Sequence, residues 1–213
     1  MTEPIWRDGA LDMAAESYAG PVVLRIALDS PFAQGVMGRA SLDAEDYRDF
    51  AARADAPLRL ARRRLAKALL GWAADMHPQA VRIVRSPLGA PLVAEPGGWH
   101  VSVAGQGASC LIGVARETIG VDIEPRTAPP PPLDLLTPRE RARIEALPDA
   151  VAGGEALALW VAKEAHAKRI GLASRLEPVD IEVIGEEVRS GEYLSRCRIA
   201  PFGDVVAAVA LGT

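Results

Sequence analysis

Two acidic clusters, roughly forty residues apart, hold the residue types from which a site for a divalent cation and a phosphate could be built. The first is Ile119-Gly-Val-Asp122-Ile-Glu124 and the second is Trp160-Val-Ala-Lys163-Glu164-Ala-His166-Ala-Lys168-Arg-Ile-Gly171. In the first, Val121 and Ile123 alternate with Asp122 and Glu124 at a period of two, which reads as a strand with both carboxylates on one side. Residues i and i+2 of a strand lie about 7 Å apart, so two acids can converge on one ion. A solvated strand face would explain these two acids alone, and the second cluster extends the pattern.

From Gly153 to Ile170 the chain is rich in Ala, Leu, Lys and Glu, lacks Pro, and ends at Gly171 where a C-terminal cap would stand. A helix is predicted there. Trp160, Glu164 and Lys168 are spaced by four and share one stripe, while Lys163 projects about 100° away. An ordinary Glu–Lys helix pair, which contributes ~0.2–0.5 kcal/mol, explains the acid and base without explaining Trp160 or Lys163. The combined clusters suit Mg²⁺ and a pyrophosphate.

Gly-Val-Asp-Ile-Glu followed by Trp-x-x-Lys-Glu-Ala-x-x-Lys-x-x-Gly resembles the signature of 4′-phosphopantetheinyl transferases of the surfactin-synthetase-activating type. The resemblance extends loosely over most of the chain, including Gly89 to Pro91 and Trp99 to Gly105. It implies that Asp122, Glu124 and Glu164 bind Mg²⁺, and that Lys168, with Lys163, holds the pyrophosphate of coenzyme A. It further implies transfer of phosphopantetheine from coenzyme A to a serine of an apo acyl or peptidyl carrier protein, releasing adenosine 3′,5′-bisphosphate. Glu164 and Lys168 would be the catalytic pair, and the base for the serine is either a metal-bound water or a carboxylate such as Glu164. The implied fold is two similar α/β halves related by a pseudo-twofold axis, with coenzyme A at their junction. The junction is expected near Gly105 to Gly107, giving an N-terminal half, 1–106, on the 3′-phosphate side and a C-terminal half, 107–213, on the metal and pyrophosphate side.

The chain departs from that pattern in two places. Where the family carries Asn-hydrophobic-Ser-His-Ser, this sequence reads His100-Val-Ser102-Val103-Ala104, keeping one serine, Ser102, as a ligand contact and losing the histidine. The lysine of the Gly-Lys-Pro element is Ala90. A lost charge-assisted hydrogen bond costs ~1.5–3 kcal/mol. Compensation is expected from the basic stretch Leu58 to Leu70, where Arg59, Arg63 and Lys67 at a spacing of four form one cationic stripe on a helix. Arg59 and Arg63 are the candidates for the coenzyme A 3′-phosphate; a merely solvated helix face is the competing explanation.

The rest of the composition narrows the class. The chain has 213 residues, 49% hydrophobic and 24% charged, with a net charge of −4. That is globular, and nucleic-acid binding is disfavoured because the chain is acidic and its basic stripe lacks interleaved aromatics. Cys110 and Cys197 sit in apolar strand-like runs and read as core residues in a reducing compartment. His77, His100 and His166 show no zinc spacing. The sequence Met-Thr-Glu-Pro-Ile-Trp-Arg-Asp lacks the features of a signal peptide, and no apolar run would span a bilayer. A cytoplasmic monomer is expected.

Strand-like runs fall near 22–28, 81–84, 100–103, 110–115, 120–124, 181–184, 194–199 and 205–211, with helices near 44–53, 58–76, 139–147 and 155–170. This interleaving predicts an α+β fold. Pro125 and the run Pro129 to Pro132 form a stiff connector. Thr137, Pro138 and Glu140 then match an N-cap, a first-turn proline and a capping-box acid; capping accounts for Glu140, and a positioning role near the carrier protein is the alternative. Arg139, Arg141 and Arg143 are candidates to steer an acidic carrier helix. Two other functions stay open: a non-transferring relative that binds a carrier protein or nucleotide, and a different metal-assisted phosphate-ester reaction.

Overall fold

Capping side chains set several of the helix starts, and small residues set how closely a helix can approach a sheet. The structure, a computed structural model, describes residues 3–11, 20–173 and 175–213. Its contacts divide the chain into two compact units, Met1–Thr118 and Ile119–Thr213. Gly105 to Gly107, where the sequence suggested a junction, lie in the first unit at a tight hairpin turn, in which Gly107 takes a φ of 54° that favours glycine.

The first unit contains β1 (Ile5–Asp8), β2 (Val22–Ala27), α1 (Pro31–Met37), α2 (Ala44–Phe50), α3 (Ala56–Ala73), β3 (Arg82–Arg85), β4 (Pro91–Glu95), β5 (His100–Gln106) and β6 (Ser109–Ala115). Its main sheet has the order β1-β2-β6-β5, with β1 parallel to β2 and the other pairs antiparallel; β3 and β4 form a separate hairpin. Leu65, Leu69 and Leu70 of α3 share a buried core with Leu24 and Ile26 of β2 and Ile112 and Val114 of β6. Elements absent from the sequence expectation here are β1, β4 and α1. The last does carry a local signal: Ser30 caps it through its side chain, and Pro31 occupies the first turn.

The second unit contains β7 (Ile119–Pro125), α4 (Pro138–Glu145), α5 (Asp149–Arg169), β8 (Glu182–Ile184), β9 (Glu187–Ser190), β10 (Tyr193–Phe202) and β11 (Val205–Leu211). The strands form one antiparallel sheet of order β7-β11-β10-β9-β8. Helix α5 starts earlier than its composition suggested and runs through Gly153 and Gly154. It stops as expected: Gly171 has a φ of 74°, its N–H bonds Lys168 O, and Leu172 N–H reaches back to Ala167 O. Those two bonds are a Schellman stop, which satisfies carbonyls the helix leaves unpaired. Ala162 and Ala165 of α5 and Ala208 and Ala210 of β11 belong to the buried core, together with Leu157, Val188 and Val206. Alanine on both sides lets the helix lie close to the sheet. The α+β organisation read from the sequence is what the chain adopts. No helix among the described residues is long and apolar enough to cross a membrane.

Candidate functional site

Helix α5 and strand β7 approach each other closely at Gly120. A Cβ there would stand 1.9 Å from Ala165 O and 2.5 Å from Arg169 N, both backbone atoms of α5, so only glycine fits. Because alternate residues of a strand share a face, Asp122 and Glu124 point to the same side as Gly120, toward α5. Val121 and Ile123 take the other face and are buried. Asp122 lies opposite Ala208, and Glu124 opposite Val206, in the β7–β11 ladder. The alternation that resembled a half-exposed strand is therefore a strand with its acids under a helix.

Glu164 and Lys168 stand one turn apart on α5, and Lys168 meets the first of these acids. Lys168 Nζ donates to Asp122 Oδ1 at 2.6 Å. Asp122 Oδ2 is buried and has no hydrogen-bond partner among the described residues. Burial pushes the Asp122 carboxyl above its ordinary value, with the Lys168 charge opposing the shift. Glu164 is also raised, by burial first and then by the Asp122 carboxylate, with Glu124 adding and Lys168 opposing. The three acids and the lysine thus share one electrostatic site. Glu124 also borders, with Trp160, Leu157, Leu135 and the prolines 129–132, a groove of about 280 Å³.

Lys163 goes elsewhere. Its side chain is fully buried, and its ammonium pairs with Glu140 Oε2 at 2.6 Å and donates to Pro178 O at 2.8 Å and Leu135 O at 3.3 Å. Burial lowers its pKa, and the hydrogen bond to Glu140 acts against that shift. Glu140 closes the expected capping box with Thr137, and its other oxygen accepts from Val183 N–H at 2.8 Å. The residue read as a cap is thus also the point where α4, α5 and β8 are tied together. Of the arginines beside it, Arg143 pairs with Glu155, Arg141 donates to Leu133 O, and Arg139 is exposed, 3.7 Å from Glu182.

The basic stripe of α3 does lie along one face, but that face meets α2. Arg63 is buried between Asp46 and Asp49, at 3.4 and 3.1 Å, donates to Ile83 O and lies over the Phe50 ring. Lys67 pairs with Asp46 and Asp43. Of the stripe, Arg59 is the partly exposed member, and it pairs with Asp55 one turn earlier. Acids at 43, 46 and 49 carry the complementary spacing, a signal present in the sequence but unused. Ser102 is buried on β5. Val103, at the position of the missing histidine, is half-buried against the apolar core of the first unit, and Ala90 ends the turn between β3 and β4, bonded to Ser86 Oγ.

One polar cluster escaped the sequence reading. His166 is fully buried in α5, with Nδ1 2.5 Å from Ser195 Oγ and Nε2 2.8 Å from Ser190 Oγ, while Arg169 also donates to Ser195 Oγ at 2.6 Å. Burial, helped by the Arg169 charge, pushes its pKa down to about 4. Its position on the inner stripe with Leu159 and Ala162 was the available clue.

Three carboxylates offer only oxygen donors, which suits a hard cation such as Mg²⁺, and the orphaned Asp122 Oδ2 is an acceptor such an ion would satisfy. No group of three or more His, Cys, Asp or Glu among the described residues is already gathered in metal-holding geometry. The donor chemistry fits the ion, with Lys168 presently at Asp122. Both cysteines are buried and free, their thiols pushed up to about 12 by burial. No curated protein matches the chain. Residues 118–208, the stretch that carries β7, α4, α5 and nearly all of the second sheet, match the family model of the 4′-phosphopantetheinyl transferase superfamily.

Proposed function

We propose that the protein transfers the 4′-phosphopantetheine group of coenzyme A to a serine of an apo acyl or peptidyl carrier protein. The observation that carries this reading is the convergence of Asp122 and Glu124 of β7 with Glu164 and Lys168 of α5 on one side of the second sheet. Every residue that supports it lies in the second unit.

Asp122, Glu124 and Glu164 would hold Mg²⁺, which when bound supplies positive charge against the pyrophosphate oxygens. The carrier serine oxygen bonds to the β-phosphorus, the bond from that phosphorus to the bridging oxygen breaks, and adenosine 3′,5′-bisphosphate leaves with that oxygen. Glu164 takes the serine proton. Lys168 offers its ammonium to the pyrophosphate, a role that suits its charge and its partial exposure. Lys163 is assigned to Glu140 and placed outside the ligand set, because its donors are already engaged in the protein.

Val103 favours a second reading, a non-transferring relative that binds a carrier protein or nucleotide, since an apolar side chain packed on the core supplies no phosphate contact. Incubation with Mg²⁺, coenzyme A and several apo carrier proteins, followed by carrier mass, separates the two. A gain of one phosphopantetheine arm that disappears with Glu164→Ala supports transfer. Carrier binding without any gain supports the relative.

A further inference from the structure

Asp122 is already held by a cation that belongs to the chain. Lys168 Nζ sits 2.6 Å from Oδ1, whereas Oδ2 of the same carboxylate is buried and unpartnered. The two partners differ in freedom. Asp122 is fixed in a strand paired along its whole length with β11 and is only 8% exposed at its side chain. Lys168 is 26% exposed and ends a flexible four-carbon stem, so its ammonium can leave without moving α5. A divalent cation drawn to Asp122, Glu124 and Glu164 meets that ammonium as a like charge at close range. An anionic ligand has the opposite effect, because it offers the ammonium a new partner.

Resting on the transferase reading above, we infer that Lys168 is a lock on the cation site. In the ligand-free protein its ammonium fills the cation's place at Asp122, and a pyrophosphate-bearing ligand opens the site by drawing the ammonium to itself. Cation and ligand then bind with positive coupling, and linkage makes the coupling reciprocal. Lys168 acts twice, first as the counter-ion that keeps a buried carboxylate neutralised and then as a ligand contact. This avoids an unpaired buried charge at either stage.

Mn²⁺ titration followed by electron paramagnetic resonance, with no nucleotide present, reads the lock directly. Lys168→Met should bind Mn²⁺ about tenfold or more tighter than wild type, within the range usual for coupled sites. Lys168→Arg, which keeps the charge, should stay near wild type. Adding Asp122→Asn to Lys168→Met should remove the gain. Lys168→Gln, which keeps a donor for Asp122, should show the same gain as Lys168→Met and serves where the Met variant fails to fold by circular dichroism. Equal or weaker Mn²⁺ binding by the uncharged variants, or a gain that survives Asp122→Asn, overturns the lock while leaving the transferase reading intact if carriers still gain mass. Absence of Mn²⁺ binding in every protein, with and without coenzyme A, removes the metal side of that reading and the lock with it.

Discussion

Lys163 and Lys168 stand on one helix within a single motif and have opposite surroundings. Lys163 is sealed against Glu140, whereas Lys168 keeps a partly exposed path from Asp122. Removing one partner of a buried pair leaves the other charge uncompensated, typically at about 3–5 kcal/mol. Lys163→Met should therefore lower stability by about that amount in urea denaturation, and adding Glu140→Gln should recover only part of it, because the amide NH2 would face the N–H of Thr137 or Val183 where a carboxylate oxygen now accepts; a loss below about 1 kcal/mol in the single variant would show that Glu140 is satisfied by those backbone donors alone. Glu164 makes a second test. In the metal-free protein its carboxyl should titrate by NMR above the ordinary glutamate range, and Glu124→Gln should bring it down, because the Glu124 charge is one of the causes of the rise. A Glu164 titration unchanged by Glu124→Gln would remove that coupling.

At the scale of elements, the site depends on how tightly α5 sits on β7. Gly120 and the alanines of both elements set that spacing. In Gly120→Ala the new methyl collides with backbone atoms that no rotamer change can move aside. Destabilisation at or beyond the upper end of the ~1–3 kcal/mol usual for overpacking is expected, together with loss of transfer as Asp122 moves away from Glu164 and Lys168. A variant of unchanged stability would show that the strand slides freely. Thr137→Ala, which removes the side-chain half of the α4 cap, should cost ~1 kcal/mol by the same measurement. Helix α5 also carries His166, whose pKa of about 4 in the folded protein lies below the ordinary 6.5. Between those values the unfolded chain binds the proton and the folded chain does not, so stability is complete above about pH 6.5 and is lost as pH falls toward 4, by up to ~3 kcal/mol. Replacing His166 with Gln should flatten that slope in denaturation curves taken across the window.

For the whole molecule, the family match begins one residue before the second compact unit and stops five residues before the chain ends. All the acids, the lysine and Trp160 lie on β7 and α5 of one chain, so a monomer of 22.6 kDa is the expected mass by light scattering. A stable dimer or trimer would contradict it. Short-range physics is legible in the residues: the α+β class, the Thr137-Pro138-Glu140 start of α4, the Gly171 stop of α5, the common side of Asp122 and Glu124, and the Trp160, Glu164, Lys168 stripe. Strands β4 and β9 left little trace because they are only five and four residues long, and Gly107 lies at a hairpin turn. Which charge meets which is set by long-range packing. Spacing aligned Arg63 with Lys67, and the fold gave them to the carboxylates of α2. Spacing set Lys163 apart from Lys168, and the fold buried one on Glu140 and placed the other on Asp122. A helical period fixes the face on which a side chain stands; the partner on that face comes from a segment tens of residues away, chosen by packing that no local window contains.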